Sequence, residues 1–330
     1  MITNSANGPR ILIQPFYYKF NIFPHKLNGI RISISIMIEL GYDYPLYRPP
    51  SEASSVIFQI TLGCSFNKCS FCNMYRTKEY FERPWAEIKA EIDVVAKSQR
   101  ETKKIFLADG DALNLPTKKL VQVLDYLNEK FPNITRISCY AMPKNLIQKS
   151  SDELTLLHKK GLNMLYVGIE TGQDIILKKI TKGATSKSII EACTKAKKSG
   201  FIISCMIILG IGGKKYSMQH IKATAKVVSE VSPNFLAALT LILEDGVYGE
   251  FMQKFGEPFE FLDDSLILEE LEILVSSVTP ASSIVFRANH ASNLYSIGGN
   301  LPEDRDKIIK VVRNLKEHPE LLKPRILRRF

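Results

Sequence analysis

The chain has 330 residues, of which 45% are hydrophobic and 24% are charged. This composition excludes a disordered chain, and the length allows one large hydrophobic core or two modest ones. Six cysteines in a chain of this length are too few for a fold held together by disulfides.

The chain carries a net charge of +10, and much of the positive excess lies near its end. We interpret that segment as a solvated helix face followed by a loose tail, because it lacks the interleaved aromatic residues of a nucleic-acid-binding surface. Nucleic-acid binding is therefore the weaker alternative. The basic residues of the segment are Lys307, Lys310, Arg313, Lys316, Lys323, Arg325, Arg328 and Arg329.

The beginning of the chain is rich in apolar side chains, but Lys19, Lys26 and Arg31 interrupt them. No segment approaches the roughly 18 consecutive apolar residues of a membrane helix. No small-residue cleavage site follows a short apolar run, which argues against a signal peptide. We therefore expect a cytoplasmic protein without a membrane segment, in which residues 1–50 form an extension of unassigned role.

Short β-branched runs alternate regularly with amphipathic stretches from residue 56 onward. This pattern predicts six strands, over residues 56–61, 104–108, 135–140, 164–169, 202–209 and 236–242. The helices predicted between them cover residues 84–97, 117–130, 151–160, 186–198 and 217–230. Repeated strand–helix units imply right-handed crossovers and a parallel sheet, which suits either a doubly wound sheet or an incomplete barrel.

Beyond residue 245 the pattern changes. The sequence predicts a helix over 265–277, a strand over 283–287 and a helix over 302–317. Arg287, Asn289, His290 and Asn293 follow that strand closely. A lone histidine more often has a structural role, but four polar groups together favour substrate contact, with Arg287 as a candidate for binding a carboxylate or phosphate.

Three cysteines crowd into the loop after the first predicted strand, in the segment TLGCSFNKCSFCNMY. Cys64, Cys69 and Cys72 are spaced C-x4-C-x2-C, and no nearby Cys or His completes a tetrahedral zinc site. Three thiolates with one open position fit an iron–sulfur cluster that leaves one iron for another ligand. The remaining cysteines, Cys139, Cys193 and Cys205, lie in or near predicted strands and a helix and are interpreted as small buried hydrophobes.

Polar residues and glycines also follow other predicted strands, where the chemistry of parallel α/β folds is built. Asp109 and Asp111 flank Gly110 in FLADGDALNLP, which fits either an ordinary turn or a site for a ligand ammonium. Glu170 ends the run YVGIETG, where it either caps a helix or binds ligand hydroxyls. In MIILGIGG the glycines allow the backbone to approach a flat ligand.

Taken together, residues 56–242 resemble the radical S-adenosylmethionine (radical SAM) superfamily, most specifically in the cysteine loop. Members typically space that loop C-x3-C-x2-C, so this chain has one extra residue, whereas the aromatic residue before the last cysteine, Phe71, is present. The resemblance implies an α/β fold with an incomplete (β/α)6 TIM-like barrel. It would comprise a core over residues 51–245 and a C-terminal α/β extension with a basic tail, residues 246–330, covering the mouth on the substrate side.

The resemblance also implies roles for individual residues. Cys64, Cys69 and Cys72 would bind three irons of a [4Fe-4S] cluster, and S-adenosylmethionine would bind the fourth iron through its amino and carboxylate groups. The element that holds the methionine ammonium would be Asp109, Gly110 and Asp111. Glu170 would contact the ribose or the methionine part, and the adenine would lie near Phe71, Gly210 and Ile211.

The implied function is that of a radical SAM enzyme. Such an enzyme reductively cleaves S-adenosylmethionine to a 5′-deoxyadenosyl radical, which abstracts hydrogen from a substrate that the sequence does not identify. A small-molecule substrate is favoured over a macromolecule, and an electron donor such as flavodoxin or ferredoxin is implied. The alternatives are a non-catalytic zinc- or nucleic-acid-binding module and an ordinary α/β enzyme whose cysteines are incidental.

Overall fold

The computed structural model describes residues 40–328 together with two earlier strands. The strands are β1 (Tyr18–Ile22), β2 (Ile34–Ile38), β3 (Val56–Gln59), β4 (Thr61–Leu62), β5 (Phe81–Glu82), β6 (Lys104–Ala108), β7 (Arg136–Tyr140), β8 (Leu162–Glu170), β9 (Ile202–Leu209), β10 (Phe235–Thr240), β11 (Ile284–Ala288) and β12 (Ile297–Leu301). The helices are α1 (Trp85–Gln99), α2 (Thr117–Lys130), α3 (Pro143–Gln148), α4 (Ser151–Lys159), α5 (Asp174–Lys179), α6 (Ser186–Lys198), α7 (Gly213–Val231), α8 (Asp245–Phe255), α9 (Asp264–Ser277) and α10 (Arg305–Glu317).

The main sheet is built from eight strands of the described residues, in the order β12-β11-β10-β9-β8-β7-β6-β3. Neighbours from β3 to β11 run parallel, and β12 runs antiparallel to β11. The six predicted strands are confirmed, although the first divides, since β4 leaves the main sheet and pairs with β5. The α/β fold class with a partial TIM-like barrel is also confirmed.

The core lies between the sheet and the helices that connect its strands. In β6, Ile105, Phe106 and Leu107 are all fully buried, as expected for a parallel sheet that is covered on both faces. On α2 the buried residues are spaced at i, i+3, i+4 and i+7, which gives one apolar face toward the core. These buried positions are Leu120, Val123, Leu124 and Leu127.

A buried carboxylate reaches from the segment before β3 to the beginning of β7. Glu52 is fully buried, and its Oε1 accepts a hydrogen bond from the Tyr166 hydroxyl at 2.6 Å. The same oxygen lies 3.0 Å from Nη2 of Arg136, the first residue of β7. Glu52 also accepts a hydrogen bond from Ser55. Glu52 therefore links the segment before β3 to β7 and β8.

The C-terminal residues extend the main sheet through β11 and β12. The last described residues fold back, because Arg328 donates to both carboxylate oxygens of Asp264 at 2.7 and 2.6 Å. Arg313 and Lys316 both pair with Glu272. Of the predicted tail beyond α10, Lys323 donates to the Ala291 carbonyl and Arg328 to Asp264, and Arg329 lies outside the described residues.

Of the proposed N-terminal extension, residues 1–50, the structure describes β1, β2 and residues 40–50. β1 and β2 pair antiparallel, with Tyr18 opposite Ile38. Further along, the Tyr42 hydroxyl donates to the Ile57 carbonyl of β3 at 2.8 Å. In the part of the chain that is described, no helix combines the length and the apolar character needed to cross a membrane.

Candidate cofactor site

The cysteine loop lies between β4 and β5, and one arginine holds three of its carbonyls. The Arg76 guanidinium donates to the carbonyl oxygens of Asn67 at 3.0 Å, Cys69 at 2.7 Å and Cys72 at 3.0 Å. It also lies 3.2 Å from a carboxylate oxygen of Glu250 on α8. The guanidinium has five N–H donors, so a single side chain can fix this much backbone. Sequence reasoning missed Arg76, although an arginine directly after a cysteine loop is a signal that could have found it.

The carboxylate of Asp109 anchors the beginning of the same loop. Its Oδ2 accepts hydrogen bonds from the Gly63 N–H at 3.0 Å, from Gln59 at 2.9 Å and from Lys78 at 3.0 Å. Lys78 also donates to the Pro45 carbonyl at 2.8 Å. Both side chains of this ion pair are almost fully buried. Asp109 therefore positions the cysteine loop, and its contact with S-adenosylmethionine stays a prediction.

The other members of the Asp-Gly-Asp element face the loop as well. Asp111 accepts a hydrogen bond from the Ser65 hydroxyl, and burial raises the pKa of Asp111 to about 7. Gly110 lies against the ring of Tyr75, where an added Cβ would collide with the ring. Among the described residues, Oδ1 of Asp109, Oδ1 of Asp111 and the Tyr75 hydroxyl are buried without a hydrogen-bond partner.

Glu170 ends β8 in a left-handed conformation, with φ of +61°. Its Oε1 lies 2.7 Å from the ammonium of Lys182. Burial raises the pKa of the Cys69 thiol to about 12, and the charge of Lys182 is the strongest influence in the opposite direction. Burial also raises the pKa of Cys64 and Cys72, and the charge of Lys182 opposes that rise in both. Lys182 thus favours the thiolate forms that bind metal.

The charge of Lys182 influences the thiols because the segment after α5 packs on the cysteine loop. The Ser70 N–H donates to the Ile180 carbonyl at 3.0 Å. Gly183, with φ of +69°, lies so close to the Phe66 ring that an added Cβ would collide with it. Sequence reasoning missed Lys182, since no local spacing links residue 182 to a loop more than a hundred positions earlier.

Two of the three residues predicted to lie near adenine, Phe71 and Ile211, belong to the same apolar region. Ile211 is fully buried in a small apolar cluster against which Phe71 packs. Gly210 has φ of +80°, which the end of β9 needs for its turn. Contact of these three residues with adenine stays a prediction.

The four predicted substrate residues have different surroundings. Asn293 is buried and holds the end of β10, donating to the Ala238 carbonyl at 2.8 Å and accepting from the Thr240 hydroxyl at 3.0 Å. The exposed Arg287 donates to the Phe286 carbonyl at 2.6 Å and to the Gly299 carbonyl. His290 lies 2.9 Å from the hydroxyl of Ser292, and Asn289 is exposed. A substrate role for these residues stays a prediction.

A buried polar group on α9 is linked to the end of β9. Glu270 is 1% exposed and accepts hydrogen bonds from the Gly210 N–H and the Ser217 hydroxyl, both at 2.7 Å. Nε2 of His220 on α7 lies 3.8 Å from Glu270. Burial raises the pKa of Glu270 from its ordinary 4.5 to about 7 and lowers that of His220 to about 4.

This raised pKa predicts a pH-dependent stability. Between pH 4.5 and 7 the folded state binds more protons at Glu270 than the unfolded state does, so the free energy of unfolding falls as the pH rises through this window. We expect Glu270→Gln to lose less stability than the wild type between pH 5 and pH 8. Urea unfolding at both pH values measures the difference.

Glu272 on the same helix provides the matched control for this experiment. Lys316 and Arg313 lower the pKa of Glu272, so its stability contribution changes below pH 4.5 and not between pH 5 and 8. Glu272→Gln should therefore retain the pH slope of the wild type. An equal slope for Glu270→Gln and the wild type would contradict the prediction.

The donor set fits an iron–sulfur cluster better than a single metal ion. In the described part of the chain, no three His, Cys, Asp or Glu side chains converge so that they could hold one ion. A cluster takes one thiolate at each of three irons, so its ligands need not meet at one point. The unpartnered polar atoms of Asp109, Asp111 and Tyr75 also fit a polar ligand beside the thiols.

The family model described as "Radical SAM superfamily" matches residues 58–228, slightly more than half of the chain. The chain belongs to the radical SAM superfamily. Members of the radical SAM superfamily use a [4Fe-4S] cluster and S-adenosylmethionine. The matched region begins in β3 and ends within α7, so it contains the cysteine loop, Asp109, Glu170 and Gly210.

Two curated proteins similar to this radical SAM chain are heme chaperones named HemW. The protein of Bacillus subtilis (strain 168) is 26% identical over 194 residues, which cover 58% of this chain and 50% of that protein. The protein of Buchnera aphidicola subsp. Acyrthosiphon pisum (strain APS) is 19% identical over 273 residues, covering 75% and 70%. The match therefore spans about half the length of the Bacillus relative.

Among solved structures, the chain is similar to coproporphyrinogen III oxidase (HemN) from Escherichia coli, described there as a radical SAM enzyme. The TM-score is 0.51 at 16% sequence identity, and the match covers 67% of this chain and 51% of that one. At this identity the likeness shows a shared fold, which agrees with the partial barrel of parallel strands.

Proposed function

We propose that the protein is a radical SAM enzyme that holds its [4Fe-4S] cluster through Cys64, Cys69 and Cys72. The observation that carries this proposal is the cysteine loop, whose backbone accepts hydrogen bonds from Arg76 and donates one to Asp109. When bound, the cluster and S-adenosylmethionine supply the one-electron cleavage that yields a 5′-deoxyadenosyl radical for hydrogen abstraction.

The residues around the loop are proposed to bind and orient S-adenosylmethionine. Oδ1 of Asp109 and of Asp111 can accept hydrogen bonds from its ammonium, and the Tyr75 hydroxyl can donate to a ligand oxygen. Lys182 adds positive charge beside the thiolates, which offsets their mutual repulsion. Glu170 pairs with Lys182 and is proposed to contact the ribose or methionine part, with Gly210, Ile211 and Phe71 beside adenine.

A small molecule is the proposed substrate. A cavity of about 340 Å³ lies at the carboxyl ends of β9 and β10, and its lining includes Leu241, Tyr248, Phe261 and Arg325. This volume and the largely apolar lining suit a small ligand. The electron is proposed to come from a donor such as flavodoxin or ferredoxin.

Anaerobic reconstitution with iron and sulfide, followed by dithionite and S-adenosylmethionine, tests the proposed chemistry. We expect a reduced-cluster spectrum that changes when S-adenosylmethionine is added, together with release of 5′-deoxyadenosine. Omitting dithionite should prevent that release. A protein that takes up iron but neither responds to S-adenosylmethionine nor cleaves it would contradict the proposal.

Heme binding is a second candidate function, supported by the similarity to heme chaperones. Titration of the protein with hemin, followed by visible absorption, tests it. A saturable shift of the heme absorption band, with no 5′-deoxyadenosine formed in the previous experiment, would favour a carrier over an enzyme.

A further inference from the structure

A carboxylate from outside the barrel controls the turn at the end of β9. Gly210 is buried, and its N–H donates to Oε2 of Glu270 at 2.7 Å. Gly210 also packs on α9, since an added Cβ would lie 2.9 Å from Cδ1 of Ile267. The other carboxylate oxygen of Glu270 accepts from Ser217 on α7. One side chain thus joins the turn to two outer helices.

Helix α7 also holds the turn that follows β8. Nδ1 of His220 lies 2.7 Å from the hydroxyl of Thr171, and the Gly172 N–H donates to the Thr224 hydroxyl at 2.9 Å. Thr171 directly follows Glu170. Because Nε2 of His220 lies 3.8 Å from Glu270, the two turns share one buried polar region between α7 and α9.

The energetic role of Glu270 follows from this burial. A buried backbone N–H that loses its acceptor costs free energy, so the turn would move to find another partner. Gly210 has φ of +80°, its N–H donates to Glu270 of α9, and its carbonyl accepts from the N–H of Gly213, the first residue of α7, at 3.0 Å. A shift of this turn would move the backbone on which the adenine is proposed to rest.

We propose that Glu270 is a positioning residue for S-adenosylmethionine, acting through the backbone of Gly210. This inference rests on the proposed function. The two carboxylate oxygens of Glu270 accept from the Gly210 N–H and the Ser217 hydroxyl, and Glu270 lies on α9, beyond the residues that match the family. Its contribution is a fixed acceptor for the Gly210 N–H, supported by Ser217.

The test compares Glu270→Ala, Glu270→Gln and Glu272→Ala in the reconstituted holoenzyme. Equilibrium dialysis with S-adenosylmethionine gives the dissociation constant, and iron analysis gives the cluster content. Because an unpaired buried N–H is costly, Glu270→Ala should bind about tenfold more weakly. Gln keeps an acceptor for Gly210, so Glu270→Gln should stay within about twofold of the wild type. Glu272→Ala removes only pairs with Arg313 and Lys316 and should bind normally.

Iron content and backbone hydrogen exchange distinguish positioning from a general loss of structure. We expect unchanged iron content in all three variants and faster exchange of the Gly210 N–H in Glu270→Ala alone. If Glu270→Ala does not fold, Ser217→Ala serves in its place, with a smaller expected loss of affinity. Wild-type affinity in the alanine variant would overturn the inference, as would an equal loss in Glu272→Ala. If the wild type itself binds no S-adenosylmethionine, the proposed function fails as well.

Discussion

Replacing Cys69 by alanine is expected to abolish stable cluster binding and all release of 5′-deoxyadenosine. Cys69 lies in the middle of the cysteine loop, and its carbonyl is held by Arg76, so the loop backbone fixes its position. With two thiolates left, one further iron has no protein ligand. After anaerobic reconstitution the wild type should hold about four irons per chain. The iron content of the variant should fall to that of a control sample treated in the same way without sulfide.

Cys193→Ala is the matched control, because Cys193 is fully buried on α6 and behaves as a small hydrophobe. Its iron content and its cleavage of S-adenosylmethionine should equal those of the wild type. Near-normal iron in Cys69→Ala would contradict the assignment of this cysteine as a ligand. Loss of iron in both variants would instead indicate that the chain needs every thiol for folding.

Replacing Lys78 by methionine is expected to destabilise the protein by about 3–5 kcal/mol, since it leaves the buried charge of Asp109 without its partner. Asp109 is fully buried, and Lys78 is 2% exposed. Burial already raises the pKa of Asp109, and the charge of Lys78 opposes this rise. Without Lys78 the pKa of Asp109 should rise further, so the destabilisation should be larger at pH 8 than at pH 5. Urea unfolding followed by circular dichroism measures it.

The double variant Lys78→Met, Asp109→Asn isolates the charge effect. If the unpaired carboxylate causes the loss, adding Asp109→Asn should recover part of it, so the two substitutions should not be additive. Lys160→Met, which removes an exposed pair with Asp125, is the control and should change stability little. Equal losses of stability for Lys78→Met and Lys160→Met would show that the buried ion pair stabilises the protein no more than an exposed one.

Local sequence signals predicted the elements that depend on local interactions. The predicted start of α4 at residue 151 is confirmed, since Ser150 and Glu153 form a capping box there. Thr185 caps α6 in the same way, one residue before its predicted start. By contrast, α7 begins at Gly213, four residues before its predicted start, because the left-handed turns at Gly210 and Gly213 depend on packing rather than on propensity.

The candidate site shows the same contrast between local sequence signals and long-range packing. The cysteine spacing and the Asp-Gly-Asp element were readable because each is a short motif at a strand end. Lys182 and Glu270 were missed, because their contacts with the site arise only when distant segments pack together. Arg76 was missed although its partners in the loop lie only four to nine residues away. β12 was missed for a related reason: its segment IGGNL has weak strand propensity and forms a strand by pairing with β11.

The contact between Glu270 and Gly210 joins the region that matches the family to the segment that follows it. Gly210 lies inside the region that matches the family, residues 58–228, whereas Glu270 lies outside it. A residue outside the matched region therefore fixes backbone inside it. Transplanting the segment beyond residue 245 between relatives would therefore also alter the support of this strand end, because the transplanted segment would carry, or lack, the carboxylate that accepts from the Gly210 N–H.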